Sequence, residues 1–176
     1  MRTVVVAGNP KPQSKTLDAG LLLAEALGLS TPEVIDVVTL GPALFGWGDP
    51  AVVEAVALVQ SADVVIFASP TYKATYTGVI KLFLDQFAGG TGLQGIVAVP
   101  LMLGAGPAHA MAPDVFLKPV LVELGAICPT PGLYQIDRTY AEDAAIPIWA
   151  ARWAPVIHAL AHADLSHPVT TRSNGA

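Results

Sequence analysis

Two of the nine basic residues in this 176-residue chain, Lys11 and Lys15, fall within five positions of each other in Asn9-Pro-Lys-Pro-Gln-Ser-Lys-Thr16. Hydroxyls at Ser14 and Thr16 flank them just before an apolar helical pattern begins at Leu17. Free backbone N–H groups, the positive end of a helix dipole and two ammonium groups together make an anion site, and a phosphate is the natural occupant. The competing reading is that Ser14 or Thr16 caps the helix while the lysines are solvated. The turn is neither G-x-G-x-x-G nor G-x-x-x-x-G-K-[ST], so the pattern does not support a Rossmann dinucleotide site or a P-loop.

A second chemical segment is Ser69-Pro-Thr-Tyr-Lys-Ala-Thr-Tyr-Thr-Gly78. Pro70 and Thr71 break an apolar run, and Tyr72 offers a flat ring with a polar tip. A third is Leu101-Met-Leu-Gly-Ala-Gly-Pro107, whose small residues let a flat ligand approach the backbone. His109 follows, either touching that ligand or standing on the surface. Lys81 and Asp85, at i and i+4, read as a solvated surface pair. His158, His162 and His167 have no accompanying carboxylate motif, so an exposed helix end is preferred over a metal set. Neither a Ser-His-Asp arrangement nor paired carboxylates carry a sequence signature.

The elements that must position these segments are legible in the hydrophobic pattern. Strand-like runs recur at Thr3 to Ala7, Val34 to Val38, Val64 to Ala68, Ile96 to Leu103 and Ala126 to Ile136, the last interrupted by Pro129, Pro131 and Gly132. Helical patterns lie at Leu17 to Leu27, Pro50 to Gln60, Tyr76 to Phe87, Pro113 to Leu124 and Ile146 to Ala163. Five βα units predict an α/β three-layer sandwich with a parallel sheet in the flavodoxin-like order 2-1-3-4-5. In that order the ligand crevice lies outside the carboxyl ends of strands 1, 3 and 4, where the three chemical segments fall. Residues 1–165 read as one domain and Ser166 to Ala176 as a disordered tail.

Composition narrows the class. Charged residues make up 13% of the chain, against roughly 25% in an ordinary soluble domain, which fits a sheet covered on both faces and a broad buried subunit interface. A net charge of -5 without a basic patch argues against nucleic acid. No apolar stretch reaches membrane-spanning length uninterrupted, and the N-terminus enters a strand without signal-peptide regions, so a cytoplasmic location is expected. Cys128, the single cysteine, reads as a buried structural thiol.

With the three turns in place, the chain resembles the NADPH-dependent FMN reductase family, and more narrowly the branch that supplies reduced flavin to sulfonate monooxygenases. The resemblance rests on Ala7-Gly-Asn-Pro-Lys with Ser14, on Ser69 to Gly78 with Leu82 to Asp85, on Leu93-Gln-Gly95, and on Ala108-His with Leu117-Lys-Pro-Val-Leu121. It implies that Asn9, Lys11, Ser14 and Thr16 hold the flavin phosphate, that Pro70, Thr71, Tyr72 and Lys73 line the ring, and that Gly104 and Ala105 border its other edge. It further implies FMN and NADPH as cofactors, a homodimer or homotetramer, and a flavin-dependent monooxygenase as recipient of reduced FMN. Two departures stand out. Asn9 and Lys11 occupy positions where the family usually has Ser and Arg, so the bidentate guanidinium fork is missing. Some sulfonate-linked members carry an interfacial tyrosine in an irregular turn of the helix after strand 4, where this chain has Val115 followed by Phe116. Same-fold alternatives are an FMN-bound quinone, azo or metal reductase and a flavodoxin-like electron carrier, the latter disfavoured by a count of only fourteen carboxylates.

Overall fold

The computed structural model describes residues 1–163. The expected tail from Ser166 onward, and His167 with it, lie outside the described residues. Five parallel strands form one sheet, β1 (Thr3–Ala7), β2 (Glu33–Asp36), β3 (Val64–Pro70), β4 (Val97–Gly104) and β5 (Leu133–Ile136), in the order β2-β1-β3-β4-β5. Registers such as Val5↔Ile66 and Ile66↔Val99 place the three central strands side by side. Every residue of β1, β3 and β4 is buried. That is why their sequences are continuous apolar runs rather than alternating ones.

Alternation survives in the direction each side chain takes. Val4, Val6, Val65, Phe67, Ala98 and Met102 join one core, under α2 (Pro50–Gln60), α3 (Gly78–Leu84) and α4 (Lys118–Glu123). Val5, Val64, Ile66, Val99 and Leu101 join the other, under α1 (Lys15–Ala26) and α5 (Ala145–Ala161). Gly20 lets α1 lie close on the sheet, because a Cβ there would overlap Val5.

The third helix shortens from the expected Tyr76 to Phe87 to Gly78–Leu84, where Thr77 caps it, and three further boundaries differ from the sequence expectation for a local reason. The second strand stops at Asp36, where Val37–Phe45 turns into 3-10 helix. The fifth strand shortens to Leu133–Ile136, because Pro129 and Pro131 cannot donate to a ladder; one isolated bridge, Val97↔Ile127, precedes them. The fourth helix opens with a π-helical turn at Pro113–Leu117 before α4. Val115 sits in that turn, so the irregular turn is present without the tyrosine.

The order β2-β1-β3 reverses chain direction across the sheet at β1, and the loops after β1 and β3 therefore splay apart and open a crevice. The turn after β4 borders it from the other side.

Candidate active site

The first wall is the turn from Gly8 to α1. Asn9 braces it internally, its Nδ2 donating to Thr16 Oγ1 at 2.9 Å and its Oδ1 accepting from the Lys11 amide at 2.9 Å. Gln13 adopts a left-handed conformation, φ 50°, and is held there by donation of its amide to Asp36 Oδ2 at 2.8 Å. Ser14 caps α1, its hydroxyl oxygen accepting from the Leu17 amide. The amides of Lys15 and Thr16 have no acceptor among the described residues, as the first turn of a helix dictates. Thr16 Oγ1 accepts from Asn9, which leaves its proton free to donate. Ser14 therefore caps the helix, and the Lys15 and Thr16 amides stay unpaired among the described residues beside it.

The second wall follows β3. Ser69 is fully buried and accepts from the Thr77 amide at 3.1 Å while donating to the Pro70 carbonyl at 2.9 Å. The Thr71 amide donates to the Leu103 carbonyl at 2.6 Å, but the Thr71 hydroxyl is buried with no partner among the described residues. Tyr72 is 52% exposed, an aromatic ring presented rather than packed away. Beyond it Lys73 and Ala74 are both left-handed, φ 52° and 72°, and a reciprocal backbone pair between Tyr72 and Thr75 closes the turn.

The third wall combines the ends of β4 and β5. The Asp137 amide donates to the Gly104 carbonyl at 2.9 Å, and the Asp137 carbonyl accepts from Lys15 Nζ at 2.8 Å. Tyr134 steadies the same turn by donating its hydroxyl to the Gly106 carbonyl at 2.8 Å. The Ala105 amide has no acceptor among the described residues.

These walls enclose a cavity of about 430 Å³. Asn9, Lys11, Ser14 and Thr16 line it on one side, Pro70, Thr71 and Tyr72 on the second, Gly104 and Ala105 on the third. Nine of the ten site residues expected from sequence thus meet in one place. Lys73 lines an adjoining cavity instead, of about 580 Å³, with His109. Lys15, singled out in the sequence as a cation, lines the first cavity; Gln13, Leu103 and Asp137 do too and were not foreseen. Gln13 is unremarkable until Asp36 holds its backbone, and Asp137 follows a strand that two prolines obscure.

The remaining sequence candidates resolve plainly. Lys81 and Asp85 form an exposed pair on α3. His158 Nε2 lies 2.8 Å from the Leu27 carbonyl and joins α5 to the end of α1. No group of His, Cys, Asp or Glu suited to a metal occurs among the described residues, and no helix among them is long and apolar enough to cross a membrane.

Residues 1–141 match the family model described as NADPH-dependent FMN reductase. The chain belongs to the NADPH-dependent FMN reductase family. Membership makes it an oxidoreductase with FMN and NADPH as its substrates or cofactors. A family relative from Escherichia coli (strain K12), named FMN reductase (NADPH), is 36% identical over 131 residues, 72% of this chain and 68% of that protein. The NADH-dependent FMN reductase SfnF of Pseudomonas fluorescens (strain Pf0-1) is 27% identical over 153 residues, 81% of this chain and 80% of its own length. Among solved structures, the apo form of an NADH:FMN oxidoreductase (EMOB) superimposes with a TM-score of 0.78 at 29% identity, covering 97% of this chain and 93% of that one.

The cavity's donor set fits FMN. One end offers Lys11, Lys15, the Lys15 and Thr16 amides and the Thr16 hydroxyl, all suited to a phosphate dianion. The lining also offers buried oxygens with no partner among the described residues, Thr71 Oγ1 and Asp137 Oδ1, which suit a polyhydroxyl chain. The other end offers an exposed aromatic ring and a glycine-bordered backbone, which suit a planar ring.

Proposed function

We propose that this family member binds FMN in the cavity between the β1, β3 and β4 turns, reduces it at the expense of NADPH, and releases it to a flavin-dependent monooxygenase. The convergence, in one cavity, of two lysines and two helix amides without an acceptor among the described residues with Tyr72, Gly104 and Ala105 carries the reading.

Bound FMN supplies the electron-accepting chemistry, so the chain's own task is placement and electrostatics. Lys11 and Lys15 hold the phosphate as point charges and fix the ligand's direction along the cavity. Thr71 takes a hydroxyl of the ribityl chain, and Tyr72 packs on the ring system. The Ala105 amide donates to the ring's polar edge and stabilises negative charge that gathers there. Release of FMN is favoured by two features: phosphate recognition without a guanidinium fork, and a ring wall built on a half-exposed tyrosine.

Subunit association is part of the proposal. Phe45 and Trp47 are 79% and 77% exposed on the segment that Gln86 ties to α3 through the Leu44 and Gly46 carbonyls. Val115 and Phe116 are exposed in the π turn. Apolar side chains of this size are normally covered by a partner, here other copies in a dimer or tetramer.

The test is steady-state NADPH oxidation as FMN is titrated. Turnover that rises with FMN and saturates is expected; turnover independent of added FMN but dependent on a quinone would contradict the reading.

A further inference from the structure

We propose that the second cavity, over Lys73 and His109, receives the phosphate groups of the reduced nicotinamide dinucleotide. The inference rests on the placement of FMN proposed above. The two cavities share Thr71, Gly104 and Ala105, so a ligand in the second lies against whatever ring rests on that common wall.

The lining selects the ligand class. The cavity, of about 580 Å³, is lined apart from His109 only by Thr71, Lys73, Ala74 and the small 104–108 segment. It offers no large apolar side chain for a quinone or azo compound. It also holds no carboxylate, so nothing on its walls neutralises Lys73, and Lys73 Nζ has no acceptor among the described residues. In a chain of net charge -5, an unopposed ammonium at a cavity mouth attracts a flexible anion. His109, which lines the same cavity, adds a ring N–H donor.

The backbone holds Lys73 on that rim. Lys73 and Ala74 are consecutive non-glycine residues at positive φ, a conformation that L residues keep only when the surrounding structure imposes it. The constraint is local: the Tyr72 amide donates to the Thr75 carbonyl at 2.9 Å, and the Thr75 amide returns a bond to the Tyr72 carbonyl at 3.3 Å. The turn fixes the Lys73 backbone beside the wall that the two cavities share.

The experiment measures kcat/KM for NADPH, NADH and 1-benzyl-1,4-dihydronicotinamide, which has no phosphate, in FMN-saturated wild type, Lys73→Gln and Lys73→Arg. Loss of one charge-assisted contact is expected to lower the NADPH to benzyl-dihydronicotinamide ratio about tenfold in Lys73→Gln, mainly through KM. Lys73→Arg restores most of it, and His109→Gln moves the ratio the same way. An equal fall for NADPH and NADH assigns the contact to the shared pyrophosphate, whereas a fall confined to NADPH assigns it to the 2′-phosphate. An unchanged ratio in both Lys73→Gln and His109→Gln overturns the proposal. FMN affinity, read by fluorescence in the same samples, separates the two levels. Wild type that oxidises NADPH without binding FMN refutes the flavin placement and this proposal together. Intact FMN binding with an unchanged ratio refutes this proposal alone.

Discussion

The Thr77 hydroxyl donates to the Gly8 carbonyl at 2.5 Å, joining the start of α3 to the first residue beyond β1. The same oxygen accepts from the Ile80 amide and caps α3. One buried side chain therefore fixes the turn after β1 relative to the segment that follows β3, although Thr77 and Gly8 are 69 residues apart in sequence.

Replacing Thr77 with Val removes the cap and leaves the buried Gly8 carbonyl without its donor. The expected loss is about 1–3 kcal/mol, with Tm falling by about 2–4 °C for each kcal/mol. Thr77→Ser keeps the hydroxyl and recovers most of it. Thermal denaturation of the three proteins checks the order.

Gly8→Ala acts at the same junction through sterics. A Cβ at Gly8 would overlap both the side chain and the backbone of Ile80, so α3 must move. Destabilisation of about 1–3 kcal/mol is expected, together with weaker FMN binding, because the displaced helix follows the ring wall. Chemical denaturation and an FMN titration measure the two effects separately.

Thr71→Val tests the middle of the cavity. The Thr71 hydroxyl is buried without a partner among the described residues, so an isosteric apolar side chain is expected to raise the stability of the ligand-free protein slightly. FMN affinity is expected to fall about three- to tenfold, by loss of one hydrogen bond. Unchanged affinity in a calorimetric titration would remove Thr71 from the site.

Cys128 gives a pH signature. Burial pushes its thiol up to about 11 from an ordinary 9.0, Lys118 pulling it down less than burial raises it. The folded chain keeps a proton that the unfolded chain sheds above pH 9, so this contribution to stability is full below pH 9 and is lost as pH climbs through 11. Tyr140, raised to about 12 first by desolvation and then by its bond to Asp18, acts in the same direction higher still. Alkylation by iodoacetamide at pH 8 is expected to be slow in the native protein and fast in urea.

Much of this site was readable in sequence because its parts are local. Lys11, Ser14 and Thr16 sit within one turn, Pro70 to Tyr72 within another, and buried strands announce themselves as unbroken apolar runs. What escaped depends on distant pairings. Gln13 matters through Asp36 at the end of β2, and Asp137 through Lys15, 122 residues away. The family resemblance puts Lys73 with Pro70, Thr71 and Tyr72 along the ring. In the structure it follows Tyr72 in a left-handed conformation that no local pattern signals, and it lines the adjoining cavity that shares Thr71, Gly104 and Ala105 with the first.

The central claim, that a phosphate anchors at Lys11 and Lys15 while a ring rests on Tyr72, is tested most directly by titrating FMN and riboflavin into the wild type and a Lys11→Ala/Lys15→Ala double variant. In wild type FMN is expected to bind about a hundredfold more tightly than riboflavin, reflecting two charge-assisted phosphate contacts, and the difference should largely vanish in the double variant. Equal affinities for FMN and riboflavin in the wild type would contradict the account.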